Sequence, residues 1–109
     1  MKFYRSTRGG ARATAPEAIL GGIAPDGGLF TPEEFPKIDI GGLRGADAQA
    51  IWSEVLFALL DGFSRAEIEE IVSLGYAGKF ETEDIAPLAP VGGAHVLELF
   101  RGPTSAFKD

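Results

Sequence analysis

Ala48, Ile51, Trp52, Val55, Leu56, Leu59, Leu60 and Phe63 recur at three- and four-residue steps, which lays one broad apolar stripe along a helix over residues 48–63. A stripe of that width must be covered, so it marks where a core begins. Directly behind it, Ser64-Arg65-Ala66-Glu67 is a capping box in which the Ser64 hydroxyl accepts from the Glu67 amide and the Glu67 carboxylate reaches back. Ile68, Ile71 and Val72 then share one face of a second helix. Helix, tight turn, helix is the expected centre of the domain.

The other elements are short. Residues 2–7, KFYRST, suit a strand, and Thr14-Ala15-Pro16-Glu17 is another capping box opening a helix over residues 15–20, stopped by Gly21-Gly22. Pro16 sits in the first turn, where its missing N–H costs nothing. In GIAPDGGLFTPE, Pro25 presets φ, Asp26 suits an Asx turn and Gly27 or Gly28 supplies positive φ, so two short extended pieces flank a tight turn. Residues 31–46 hold Pro32, Pro36, Gly41, Gly42 and Gly45 and predict a loop. The stretch IAPLAPVGG predicts a connection, and residues 95–100 a strand. The fold class is therefore α+β, a small helix-dominated domain with short strands over residues 1–93, and residues 94–109 begin something further.

Composition narrows the function. A net charge of -6 argues against a nucleic-acid binder, which needs clustered Lys and Arg to displace counterions. With no cysteine and one histidine, His95, there is no ligand set for a metal. The most apolar run, VLFALL, is far short of a bilayer span, so no membrane anchor is expected and the cytoplasm is the expected location.

Chemistry concentrates in the tail, ELFRGPTSAFKD. Read locally, it is a strand, then a hydroxyl cap at Thr104 or Ser105, then Ala106–Asp109 as a first helical turn. A lysine there meets the helix's partial positive charge, and burial beside Phe107 adds to the pressure towards the neutral amine that Schiff-base chemistry needs. Lys108 is thus the candidate catalytic and cofactor-binding residue. Arg8, beside Ser6, Thr7 and Gly9, offers a guanidinium fork and loop amides to an anionic substrate, or else a surface ion pair. Asp26 with Gly27 and Gly28 lines a cleft or makes a plain turn. Glu98 shares a strand face with Val96 and Phe100 and needs a cationic partner or solvent.

Three stretches, YRSTRG at residues 4–9, GIAPDGGLF at 22–30 and ELFRGPTSAFKD at 98–109, resemble in order and spacing the N-terminal region of the threonine synthase family. The resemblance runs the length of the chain, with specific motifs on about a quarter of it. It implies a pyridoxal-phosphate enzyme converting O-phosphohomoserine and water into threonine and phosphate, in which Lys108 holds the cofactor and later moves protons on the substrate carbons. Family members usually carry His before the GPT and a larger apolar residue after it; Arg101 and Ser105 stand in those places here.

The resemblance also implies that residues 94–109 open a truncated cofactor-binding α/β domain. The chain is then expected to be an N-terminal fragment, inactive and without cofactor on its own. A strand at 95–100 deprived of its sheet is expected to fray, fold back, or self-associate with a second copy. Two other functions fit the residues: a related phospho-lyase, and a non-catalytic interaction domain that uses the stripe of Ile51, Val55 and Leu59.

Overall fold

A computed structural model describes all residues from 1 to 109. β1 (Phe3–Ser6) is the middle of a three-stranded antiparallel sheet, between β2 (Arg12–Thr14) and β3 (Phe30–Pro32). Tyr4 faces Ala13 on one side and Pro32 on the other. The alternation expected of a strand holds: Tyr4 and Ser6 are buried, while Arg5 between them is exposed. On the outer face Arg5 and Arg12 both donate to the Glu33 carboxylate, and the Arg12 guanidinium lies 3.6 Å from the centre of the Phe3 ring. α1 (Ala15–Gly21) follows β2 at once, with Glu17 accepting the Thr14 amide and hydroxyl, each at 2.8 Å.

α2 (Ala48–Leu59) and α3 (Arg65–Tyr76) pack on each other. Asp47 caps α2 by accepting from the Ala50 amide at 2.8 Å, and the Ser64–Glu67 box caps α3. Ile68 and Val72 are almost wholly buried, as their shared face predicts. The broad stripe is another matter. Ser53 is the buried residue of α2, its small side chain allowing close approach, whereas Ile51 and, on α3, Ile71 are exposed. α2 also stops at Leu59 rather than 63, because Leu60 turns extended at ψ 133° and Gly62 follows at φ 89°. Trp52 lies against Tyr76 with ring centres 4.0 Å apart.

The sheet finishes the helix. α2 has no basic residue in its last turn, and its free carbonyls are served from β1's end of the chain: the Lys2 ammonium donates to Phe57 and Ala58, and the Tyr4 hydroxyl to Leu59 at 2.6 Å.

β4 (Leu88–Val91) and β5 (Ala94–Leu97) form an antiparallel hairpin. Residues 88–91, expected as connection, are a strand because they have a partner; Gly92, at φ 59°, takes the first turn position as in a type II′ turn. The Glu98 amide donates to the Pro87 carbonyl at 2.9 Å, so by alternation Pro90, opposite His95, sits at a non-hydrogen-bonded position where an N–H would face outward. β5 ends at Leu97, short of Phe100, and folds back on its own chain. No residue of the hairpin's strands is buried. The radius of gyration, 16.4 Å, exceeds the ~13 Å of a compact domain this long.

Candidate functional site

Two loops carry the candidate residues. In the first, residues 6–10 meet residues 24–29. Asp26 accepts the Ser6 hydroxyl at 2.6 Å and the Gly28 amide at 3.0 Å on one oxygen, and the Gly10 amide at 3.2 Å on the other. The Ser6 oxygen in turn accepts the Arg8 amide, and Thr7 exchanges hydrogen bonds with Leu29 through its amide and its hydroxyl oxygen. The Ser6 hydroxyl, followed by the loop amides, holds the Asp26 carboxyl below its ordinary range. Gly28 is required here: a Cβ would overlap the Ser6 hydroxyl oxygen.

Ser6, Thr7, Arg8 and Asp26 are thus brought together, and their bonding separates them into two kinds. The amides that were to meet an anionic substrate are turned onto an anion of the chain itself, Asp26. Arg8 differs from the other three. Its Nη1 donates to the Asp26 carbonyl at 3.0 Å over Gly27, no carboxylate pairs with it, and the rest of its guanidinium is exposed. The surface ion pair is not what the sequence spacing produces.

The second loop is the tail, and it is not helical. Asp109 accepts the Thr104 amide at 2.8 Å and the Thr104 hydroxyl at 2.6 Å, while Ser105 and Asp109 donate to Gly102 and Ala106 in two tight turns. The Thr104 hydroxyl donates to Asp109, and residues 106–109 form a single tight turn. Ser105 accommodates this at φ 56°, as the non-glycine residue with positive φ. Gly102 is buried under the closure, and a Cβ there would lie 2.5 Å from Asp109 Cβ. The Thr104 hydroxyl lowers the Asp109 carboxyl from its ordinary value.

Lys108 stands one residue before that closure. It is exposed beside Phe107, itself 84% exposed, so the burial expected from the sequence is not present. Its ammonium has no hydrogen-bond or ion-pair partner. No bond joins it to the first loop.

Arg101, which stands before the GPT where His is usual, organises the base of this loop. Its Nε donates to Glu98 at 2.8 Å, its Nη1 to Glu81 at 3.1 Å, and its carbonyl accepts the Glu81 amide at 3.0 Å. Glu98 has found its cation. The three-residue spacing of Glu98 and Arg101 was visible in the sequence; Glu81, twenty residues away, was not. No group of His, Asp or Glu side chains is placed to hold a metal, and no helix is long and apolar enough to cross a membrane.

Residues 3–76 match the family model described as threonine synthase N terminus. Threonine synthase of Saccharomyces cerevisiae is 34% identical over 99% of this chain and 23% of its own length. Threonine synthase-like 2 of Xenopus laevis is 36% identical over 97% of this chain and 24% of its own length. Among solved structures, PLP-bound threonine synthase from Brucella melitensis matches with a TM-score of 0.86 at 36% identity, over 99% of this chain and 24% of that one. Threonine synthase from Escherichia coli matches at 0.79 and 26% identity, over 99% of this chain and 25% of that one. The chain spans about a quarter of the length of these relatives.

Proposed function

The chain belongs to the threonine synthase family by its N-terminal region, and from that premise we propose that it is the N-terminal part of an enzyme converting O-phospho-L-homoserine and water into L-threonine and phosphate, with pyridoxal phosphate held at Lys108. What supports this is the match of the whole chain to threonine synthases, one of them PLP-bound, together with a tail that leaves the Lys108 amine exposed and unpartnered beside Asp109. An amine already committed to a carboxylate would have to break that bond before it could tether a carbonyl; Lys108 does not. Bound there, the cofactor would supply an electron sink for charge developing on the substrate carbons.

The chain's own residues divide the remaining work. Lys108 would hold the cofactor and, with its amine free, would hold and return a proton at the substrate carbons. Arg8 offers its outward N–H groups to the substrate phosphate, with Ser6, Thr7 and Asp26 fixing the backbone that aims it. The amides around Asp26 do not fit a cofactor-phosphate cradle, since they are already satisfied. In this scheme residues 1–93 are the N-terminal domain, residues 94–109 open the cofactor-binding domain, and the 109-residue chain is inactive alone. A second copy meeting the free edge of β5 is the self-association it allows.

Lys108→Ala in the complete enzyme is the test. Cofactor absorbance characteristic of a covalent attachment should vanish, and turnover should fall by roughly a thousandfold or more. Retained attachment and turnover would remove Lys108 from its role.

A further inference from the structure

We infer that Arg101 is a positioning residue for Lys108, acting through the closed loop of residues 102–109; this rests on the assignment of Lys108 as the tether. The relay is short and every contact in it is defined. Arg101 is clamped on two sides, by Glu98 at 2.8 Å and by Glu81 at 3.1 Å, and its backbone carbonyl is bonded to the Glu81 amide at 3.0 Å. The next residue, Gly102, is buried against Asp109, so closely that a Cβ would come within 2.5 Å of Asp109 Cβ. Asp109 closes the loop on Thr104 and is covalently joined to Lys108. The ends of the loop therefore touch, and what fixes its base fixes the lysine.

No hydrogen bond made by residues 102–109 reaches outside that stretch. The hairpin that precedes the loop packs chiefly on itself, and its strands are not buried. The loop's internal bonds determine its shape but not its place, because all of them run between residues 102 and 109. The tail is tied to residue 81, which precedes the hairpin in sequence, at Arg101: by the Nη1 of its fork and by its backbone carbonyl. A planar, two-sided donor is needed, and lysine, a point donor, does not replace it.

The inference is tested in the complete enzyme with Arg101→Met, Arg101→Lys and Glu81→Gln, the last touching only the more exposed partner in case the first two fail to fold. The readouts are the pH midpoint of the cofactor's absorbance band, kcat and KM separately, hydrogen exchange at the Thr104 and Asp109 amides without cofactor, and Tm. Arg101→Met is expected to move the band's midpoint, to speed exchange in the loop, and to lower kcat roughly tenfold to a hundredfold with KM little changed, the cost of misplacing a reacting group. Arg101→Lys should not restore these, and Glu81→Gln should reproduce them in weaker form. A fall in Tm with midpoint, exchange and kcat all unmoved would overturn the inference, since it would leave Arg101 a purely structural clamp. Lys108→Ala run alongside separates the two levels: attachment surviving that change sinks the tether itself, whereas attachment lost there but indifferent to Arg101 sinks only the positioning role.

Discussion

Asp26 and Asp109 close two loops by the same chemistry, with opposite reach. Each carboxylate takes a side-chain hydroxyl and a backbone amide, each loop has a glycine where a methyl group would collide, and each leaves one cation, Arg8 or Lys108, facing outward. The Asp26 loop joins segments twenty residues apart and is welded to the central strand of a sheet. The Asp109 loop joins residues five apart at the end of an unburied hairpin. A carboxylate that joins distant segments belongs to the frame; one that bonds five residues away shapes a local presentation and leaves its placement to something else.

The sharpest way to break that comparison is to fill the two glycines. Gly28→Ala should cost about 2–3 kcal/mol of global stability, because the Ser6 hydroxyl it strikes is buried and held. Gly102→Ala should change global stability by about 0.5 kcal/mol or less and instead open the local loop, seen as faster exchange at Thr104. Equal losses by denaturant titration would mean that both loops belong to the frame.

Acid provides a gentler probe. Both carboxyls titrate below the ordinary 3.8 in the folded chain, so the folded state binds fewer protons than the unfolded one. Their stabilising effect is complete above that ordinary value and is lost as pH falls through the lower folded one. Asp26→Asn should flatten the acid limb of global unfolding, whereas Asp109→Asn should flatten only the acid dependence of exchange in the tail. Smallest is the edge of β5. His95→Pro deletes an outward N–H without breaking a hairpin bond, and should weaken the proposed self-association about fivefold to tenfold by sedimentation, with the monomer's circular dichroism unchanged. Association indifferent to that change would place the contact elsewhere.

What was legible in the sequence was what is local. The box at Ser64–Glu67 forms as spelled, and at Thr14–Glu17 the carboxylate reaches back to the Thr14 amide and hydroxyl, because capping spans three residues and needs no tertiary partner. Leu88–Val91 was illegible for the converse reason: two prolines in APLAP signal a breaker, and only the register against Ala94–Leu97 shows that Pro90 falls where no donor is needed. In the tail the Thr104 hydroxyl donates to a carboxylate five residues on, a pairing that its type as a cap residue does not announce. At the site, the type of each residue was readable but not its occupation. Asp26 looked like a turn residue and proves to be the anion that consumes the loop's amides. The stripe on α2 was periodic, yet periodicity reports that a face is apolar and not that this chain covers it.

Lys2 and Tyr4, which serve the last carbonyls of α2, lie some fifty-five residues upstream of them. The helix pair thus cannot be released from the sheet without stranding those carbonyls, and the sheet cannot loosen without fraying the helix. Residues 2–76 should accordingly melt in a single cooperative step, in register with one another across a long gap in the chain, while the hairpin and tail exchange their amides sooner and by themselves. A polypeptide emerging in order would have β2 and β3 in hand to pair with β1 while the Lys2 ammonium and the Tyr4 hydroxyl still waited for residues 57–59.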